Sequence, residues 1–480
     1  MDKDILITTL LDRVQRCEDV IEKLRAEFRE VKAENTLLRQ ENERLKQEIE
    51  RLKEKLILKN NRNSSKPPST EIYPPKRTQS LRKSSGRKPG GQAGHKGSTL
   101  EMVADPDVID KHIPDYCNGC GSTLSSAKKV FVGRRQLIDL PPIVPVVTEQ
   151  QLFECTCSCG HTTQGQYSGN ANAAVGYGEN IEGVVAYMHA RQYLPVARMS
   201  ELFNDILGIS ISTGGISHLI ERFAGKTTPA YELIKTAVQG SAFVGSDETG
   251  CKVNGKLHWF WTWQSPHATY IAHSASRGKK AVDENFPQGF PQAIMGHDAW
   301  LPQLNTPAKG RQLCVAHMLR ELEHLMELYA KDPWSKGFAD LLRKALKLKY
   351  SMDDQKTVCP APDKHLVLAR FTELLAEPPV PKSKKAVAFY RRIQKNKDHI
   401  FTFLDHHGVP PDNNSSERAI RNIKVKQKVS GQFKAAQSAI NFAKIRSVID
   451  TTSRTYRMCW QRSRSSSAMI RLWSLPNLVL

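Results

Sequence analysis

Three acidic residues stand where their carboxylates could act together. Asp247 ends the short strand-like run SAFVGSD, and Asp298 ends a second run, PQAIMGHD. Glu417 follows Asn-Asn-Ser-Ser, a sequence that predicts a helix start and places Glu417 in the first turn. Acids at the ends of neighbouring strands and in a first turn can converge on one point. Such a cluster suits two Mg²⁺ ions, with Mn²⁺ as a substitute, one lowering the pKa of an attacking water and the other stabilising a leaving oxygen.

The alternative is that these acids have no common role, because 49 acidic residues allow many triplets. Asp283 is a weaker candidate for the second acid, since no strand-like run precedes it.

The cysteines predict a second, structural metal site. Five of the ten cysteines fall between residues 117 and 159, which favours metal binding in a reducing cytosol over a disulfide scaffold. Cys117 and Cys120 form a C-x2-C pair, and Cys157 with Cys159 is the preferred second pair, with Cys155 as the substitute. Two such pairs, each beside a glycine, predict tetrahedral Zn²⁺ of the ribbon type, and unligated thiols are the alternative.

The elements that must position these groups form a multidomain α+β chain. Alternating β-branched residues between the cysteine groups predict ribbon strands, so residues 106–165 are expected to be a zinc-binding ribbon. Within 236–450, three strand-like runs and then alternating strands and helices predict a mixed α/β core. Residues from about 320 to 400 are mostly helical and predict an insertion in that core.

Residues 166–235 predict helices with a short turn. In VARMSELFNDILGISISTGGISHLIERF, Met199 and Phe203 are helix-spaced, Gly208 marks the turn, and Ile216 and Ile220 repeat the apolar face. The pattern is typical of a helix-turn-helix unit whose second helix offers Ser and Thr to a DNA groove, although any helical hairpin gives it.

The first 58 residues carry a heptad repeat typical of a parallel two-stranded coiled coil. Glu residues at g and basic residues at e, five positions later, are opposite in sign throughout, which favours a parallel homodimer. The alternative is a long helix packed within its own chain. The a positions are Ile7, Val14, Ile21, Phe28, Asn35, Asn42, Ile49 and Leu56, and the d positions are Leu10, Cys17, Leu24, Val31, Leu38, Leu45 and Leu52.

The net charge of +21 indicates a polyanionic partner, nucleic acid before membrane. Residues 59–100 hold 10 Lys/Arg against one acid, and residues 415–480 hold 13 against two. The Pro/Gly/Ser-rich segment 59–105 cannot bury a core, so it is a solvated hinge or a basic arm with Arg87, Lys88 and Lys96 on DNA. No run approaches the about 18 apolar residues of a membrane span, and the N-terminus does not match a secretory signal.

Several blocks resemble the signatures of insertion sequence 66 family transposases. They are Asp247-Glu248-Thr249-Gly250, the Cys314-Val315-Ala316-His317-x-x-Arg320 stretch, and Asp412 to Arg421, together with NSSKPPS from Asn63, RKPGGQAGHKG from Arg87 and the C-x2-C-G of the cysteine module. The blocks occur in order over most of residues 1 to about 453.

The resemblance implies an RNase H-like catalytic domain with an Asp-Asp-Glu triad, which by position is Asp247, Asp298 and Glu417. His317 and Arg320 are then expected to pack behind the triad or to position the scissile phosphate, with Arg418 and Arg421 in support. The implied protein is a bacterial, cytoplasmic, nucleoid-associated DNA transposase, which binds element ends and target DNA and acts with accessory proteins.

Two other functions remain open from the sequence: an inactive, transposase-derived DNA-binding protein, and an RNase H-like nuclease that cuts without joining. The basic tail 451–480 departs from the family pattern, because its Ser/Arg-rich end has no periodicity. A frameshifted or decayed terminus is one explanation.

Overall fold

The computed structural model describes residues 3–56, 94, 100–140, 143–167, 173–329, 332–355, 357, 359–380 and 384–460. The described residues form 13 α-helices and two β-sheets. The chain divides into two compact units, of which one comprises Met1–Arg77 with Ala224–Leu480 and the other Thr78–Phe223. No described helix is both long enough and apolar enough to cross a membrane.

Helix α1 (Lys3–Leu56) runs unbroken for 54 residues, a length of about 80 Å. Its heptad seam is exposed: Ile7 is 54% exposed, Phe28 70% and Leu52 47%. The described chain therefore does not cover this seam, which disfavours packing of the helix within its own chain. Pairing with a second copy stays a prediction.

The second unit contains both cysteine groups. Strands β1 (Glu154–Thr156) and β2 (Thr162–Gln164) form a short antiparallel hairpin, and Tyr116 pairs with Thr123 across the first cysteine turn. The prediction of ribbon strands between the groups is wrong, because the described residues from 124 to 153 contain no strand. Val132 is 96% exposed and Val147 92%, so this stretch packs no apolar face. Strand propensity takes effect only where neighbours offer pairing and burial.

The same unit contains a helical hairpin that follows α2 (Glu179–Ala190). Helix α3 (Val196–Leu207) ends at Gly208, whose φ of 62° is the left-handed conformation that closes helices. Helix α4 (Thr213–Lys226) begins after Ser212, whose Oγ accepts a hydrogen bond from Gly215 N–H at 3.0 Å. The expected apolar face, including Met199, Phe203 and Ile216, is buried. The predicted helical hairpin is confirmed, whereas its contact with DNA stays a prediction.

A mixed five-stranded sheet forms the centre of the other unit. Helix α5 precedes three antiparallel strands, β3 to β5, and two further strands, β6 and β7, run parallel to β3, giving the order β5-β4-β3-β6-β7. The elements are α5 (Thr228–Gln239), β3 (Phe243–Val253), β4 (Lys256–Gln264), β5 (Thr269–Ser274), α6 (Lys279–Asn285), β6 (Phe290–His297), α7 (Leu301–Leu304), β7 (Ala308–Leu313) and α8 (Val315–Leu328). The predicted mixed sheet is confirmed.

Helices α9 (Pro333–Gln355), α10 (Ala361–Ala376) and α11 (Lys384–Lys395) follow α8. They share one core, in which Phe338, Phe371, Phe389 and Phe403 are buried.

This helical excursion starts and ends at one place. Val315 N–H donates to Pro411 O at 3.0 Å, and Asn413 N–H donates to the Cys314 Sγ at 3.2 Å. Helix α12 (Asn414–Ser430) begins there, and α13 (Ala436–Trp460) follows it. Helix α13 packs on β5, where Ser447 Oγ accepts from Ile271 N–H at 2.9 Å.

Candidate active site

The parallel register of β3 and β6 brings Asp247 and Asp298 side by side. Phe243 lies opposite Ile294 and Gly245 opposite Gly296. Two residues beyond this last pair, Asp247 is in line with Asp298. Neighbouring strands lie about 4.8 Å apart. The prediction that Asp247 ends its strand is wrong, because β3 continues beyond it to Val253, whereas Asp298 is the exposed residue directly after β6.

Helix α12 docks on β3 at a glycine. Asn413 Nδ2 donates to the Ser246 carbonyl at 2.7 Å. A Cβ on Gly245 would lie 2.6 Å from both Asn413 Oδ1 and Ser416 Oγ, a distance that real Cβ atoms essentially never show. Gly245 therefore permits the close approach that brings the first turn of α12, with Glu417, beside Asp247.

The pKa of Asp247 is raised well above its usual value, first by burial and then by Asp298, Glu248 and Glu417. Four carboxylates therefore influence one another here. Among the described residues, neither Asp247 nor Asp298 forms an ion pair with a Lys, Arg or His side chain. Oxygen donors with uncompensated negative charge are the ligand set that Mg²⁺ prefers, so these two residues fit a divalent cation.

Glu417 has basic partners from two helices. Arg320 donates to Glu417 Oε1 at 2.8 Å, His317 Nδ1 lies 3.5 Å from the same oxygen, and Arg421 lies 3.7 Å from Oε2. Arg320 and His317 are mostly buried, whereas the Arg421 side chain is 72% exposed. The first two thus pack against the acid, and Arg421 extends outward.

Cys314, His317 and Glu417 also place ligand atoms within 4.8 Å of one another. Burial raises the pKa of the Cys314 thiol to about 12, so it stays protonated and accepts the Asn413 N–H. Burial, and then Arg320, lowers the pKa of His317. His317 contacts the Glu417 carboxylate and the Cys314 Sγ accepts from Asn413 N–H, so this trio also holds the start of α12 in place.

Glu248 also lies at this site, although it was not predicted as a site residue. Its side chain is 3% exposed, and Arg277 donates to its Oε1 from Nη2 at 2.9 Å and from Nε at 3.1 Å. Gln303 Nε2 lies 3.3 Å from the other oxygen. Burial and the neighbouring Asp298 raise the pKa of Glu248 to about 7. The signals in the sequence were its position directly after Asp247 and its place in the Asp247-Glu248-Thr249-Gly250 block.

Two tryptophan rings contact the guanidinium of Arg277. Its guanidinium carbon lies 4.8 Å from the ring centroid of Trp259 and 4.1 Å from that of Trp300. Between Asp298 and Trp300, Ala299 adopts a φ of 70°, which is costly for a residue with a side chain. Ala299 N–H donates to His297 Nδ1 at 3.0 Å, which helps to hold this turn.

The weaker candidate, Asp283, lies on α6 and accepts from Lys279 at 2.7 Å in an exposed pair along the helix. Arg418 is exposed beside Ser415, which accepts from it at 3.1 Å.

The transposase IS66 family model matches residues 175–441, which is more than half of the chain. The chain belongs to the IS66 transposase family. The resemblance expected from the signature blocks is therefore confirmed. The match includes Asp247, Asp298 and Glu417, together with β3 to β7, α8 and all of α12. A family of unknown function matches residues 15–101, and no curated protein matches the chain.

In this IS66-family chain the cysteines form two separate turns. Gly121 N–H donates to Cys117 O at 2.8 Å, and Gly160 N–H donates to Cys157 O at 2.8 Å. Hydrogen bonds lower the pKa of Cys120, chiefly from Ser122 and also from Cys117, and that of Cys157, chiefly from Cys159. Each preferred pair is thus assembled, with Cys155 on β1. Among the described residues no three of these sulfurs come together, so the four-cysteine zinc site stays a prediction.

The DNA-binding prediction for Arg87, Lys88 and Lys96 lies outside the described residues, as does most of the linker 59–105. The same holds for residues 461–480 of the tail.

Proposed function

We propose that this transposase cuts and joins DNA at the ends of its element, with Asp247, Asp298 and Glu417 as the catalytic triad of an RNase H-like domain. One observation supports the proposal: Asp247 is in line with Asp298 on the neighbouring parallel strand, and both Asp298 and Glu417 raise its pKa. The family match over the same residues supports it.

The residues suggest how the site would be organised. Asp247 and Asp298 would hold Mg²⁺ or Mn²⁺, with Glu417 as the third acid. When bound, the metal activates the attacking oxygen and stabilises the leaving oxygen. Arg320 and His317 orient Glu417 from behind, because both contact its carboxylate and are mostly buried.

The proposed reaction has two displacements at phosphorus. In the first, a water oxygen attacks the phosphate at the element end, and the 3′-oxygen leaves and takes up a proton. In the second, this 3′-hydroxyl attacks a target phosphate, loses its proton and displaces the target's own 3′-oxygen. The exposed Arg418 and Arg421, adjacent to Glu417, are placed to contact DNA phosphates.

The remaining segments have proposed roles in assembly. The exposed seam of α1 would pair two protomers as a parallel homodimer, and the basic arm would contact DNA through Arg87, Lys88 and Lys96. The zinc module, with Cys117, Cys120, Cys157 and Cys159, and the helical hairpin would hold element ends. The protein would act in the bacterial cytoplasm at the nucleoid, with accessory transposition proteins.

Replacement of Asp247 tests the catalytic assignment. Asp247→Ala is expected to abolish cleavage and joining of labelled element ends while it leaves end binding unchanged, because it removes a central ligand without touching the DNA-binding segments. Asp283→Ala, a carboxylate outside the cluster, is the matched control and is expected to retain activity.

Metal-dependent joining by Asp247→Ala would contradict the triad. Cleavage without joining by the unmodified protein would indicate a nuclease instead, and binding without chemistry would indicate an inactive DNA-binding protein.

A further inference from the structure

The exposed side chain of Arg277 forms an ion pair with the buried carboxylate of Glu248 at the edge of the acidic cluster. Both oxygens of Glu248 are engaged, Oε1 by two N–H groups of Arg277 and Oε2 by Gln303 at 3.3 Å. Gln303 is itself fully buried and also lies 3.4 Å from Ser246 Oγ. These hydrogen bonds therefore fix the position of the Glu248 carboxylate beside the two aspartates.

The Arg277 guanidinium also lies over two tryptophan rings. Trp259 comes from β4, and Trp300 lies two residues beyond Asp298. Guanidinium groups stack favourably on tryptophan, and lysine cannot reproduce the planar fork. The backbone N–H of Trp300 also donates to Asp298 Oδ1 at 3.3 Å. The stacking therefore connects the arginine to the turn that presents Asp298.

Two of the four carboxylates in the cluster have an arginine partner and two do not. Glu417 has Arg320 and Glu248 has Arg277, whereas among the described residues Asp247 and Asp298 have no such partner. A fourth uncompensated carboxylate at this position would compete for a divalent cation and draw it out of place.

We propose that Arg277 is a positioning residue: it neutralises Glu248 and, stacked between Trp259 and Trp300, fixes the Asp298 turn, so that Asp247 and Asp298 alone define the metal-binding pair. The inference rests on the proposed function only in that these two aspartates bind the metal.

A double-mutant cycle on the full-length protein tests this, with Mn²⁺ affinity measured by electron paramagnetic resonance and joining measured on labelled element ends. Arg277→Gln should bind Mn²⁺ about tenfold more tightly, because a positive charge is lost and Glu248 is released. Its joining should fall by about a hundredfold, because the metal is misplaced.

Glu248→Gln should have the opposite effect on the metal and bind Mn²⁺ about tenfold more weakly, since Arg277 then repels it. The double variant should return to within about threefold of the unmodified protein in Mn²⁺ affinity, because both charges are then absent, whereas its joining should stay slow because the stacking on the tryptophans is lost. Arg277→Lys keeps the charge but loses the fork and much of the stacking, so it should keep the Mn²⁺ affinity but join DNA more slowly.

Lys279→Gln is the matched control, because it removes one nearby positive charge that pairs with the exposed Asp283 instead of Glu248. Lys279→Gln should have the Mn²⁺ affinity and the joining rate of the unmodified protein. A general folding defect would weaken Mn²⁺ binding in both single variants, so the opposite signs distinguish the inference from misfolding.

The inference is overturned if Arg277→Gln leaves Mn²⁺ affinity unchanged, if Glu248→Gln fails to rescue it, or if Arg277→Lys joins at the full rate. Asp247→Ala is measured alongside: if it keeps Mn²⁺ affinity and joining, the proposed function fails whatever Arg277 does. If it loses both while Arg277→Gln behaves normally, only this inference fails.

Discussion

The docking of α12 against Gly245 makes a quantitative prediction for Gly245→Ala. The added Cβ would meet Asn413 Oδ1 and Ser416 Oγ at 2.6 Å, and both side chains are buried. To reach ordinary contact distance, α12 must move away by roughly 0.5–1 Å. Overpacking of this kind costs about 1–3 kcal/mol. Weakening the buried hydrogen bond from Asn413 to Ser246 adds about 1 kcal/mol.

The expected loss in the free energy of unfolding is therefore about 3 kcal/mol, a decrease in Tm of roughly 6–12 °C for a unit of this size. Joining should fall by at least about tenfold even below the Tm, because Glu417 moves with α12. Differential scanning calorimetry and single-turnover joining at low temperature measure the two effects separately.

Gly250→Ala, on the same strand, is the matched control. Its Cβ would meet the flexible Leu257 side chain at 3.2 Å, so we expect less than about 1 kcal/mol of destabilisation. If Gly245→Ala unfolds and joins like the unmodified protein, α12 does not dock on β3 as described, and the argument for the acidic cluster fails.

Three further predictions concern other parts of the chain. Leu24→Asp should convert a dimer to monomers in analytical ultracentrifugation, since it places a charge in the exposed seam of α1; an unchanged mass would refute the coiled-coil pairing. Cys157→Ser should remove bound zinc in elemental analysis while Cys155→Ser retains it, and the reverse result would exchange their roles. Burial lowers the pKa of His297 from 6.5 to about 3. Its neutral form therefore stabilises the fold above pH 6.5, and about 2 kcal/mol is lost as the pH falls from about 7 to about 5. Urea unfolding of His297→Gln should show a smaller pH dependence than the unmodified protein.

Both strands that carry the aspartates were predictable from short apolar, β-rich runs, but only β6 ends at its carboxylate, whereas β3 continues beyond Asp247 to Val253. The start of α12 was also predictable, although for an incomplete reason. Asn413 lies at the N-terminus as its type suggests, yet its side chain makes no capping bond and donates to Ser246 on β3 instead. The residue types at the start of α12 predicted the helix correctly, but they could not predict the contact with β3.

The roles of Glu248 and Arg277 could not be predicted. Strand alternation assigns Glu248 to the face opposite Asp247, and Arg277 lies 29 residues away in a loop with no motif of its own. Their meeting depends on how β4, α7 and the Asp298 turn pack together. Between the cysteine groups, alternation predicted strands that are absent, because a periodic pattern does not supply a partner for pairing.

The hydrogen bonds that join residues 314–315 to residues 411–413 have a consequence for the evolution of this transposase. The segment between them leaves and returns at one point, so its length need not alter where Glu417 lies. Loop closure becomes costlier only slowly as a loop lengthens. Helices could therefore be gained, lost or exchanged in this excursion while the third acid keeps its place. The spacing between the second and third acids would then be a poor guide to kinship, and the two ends of the excursion a better one.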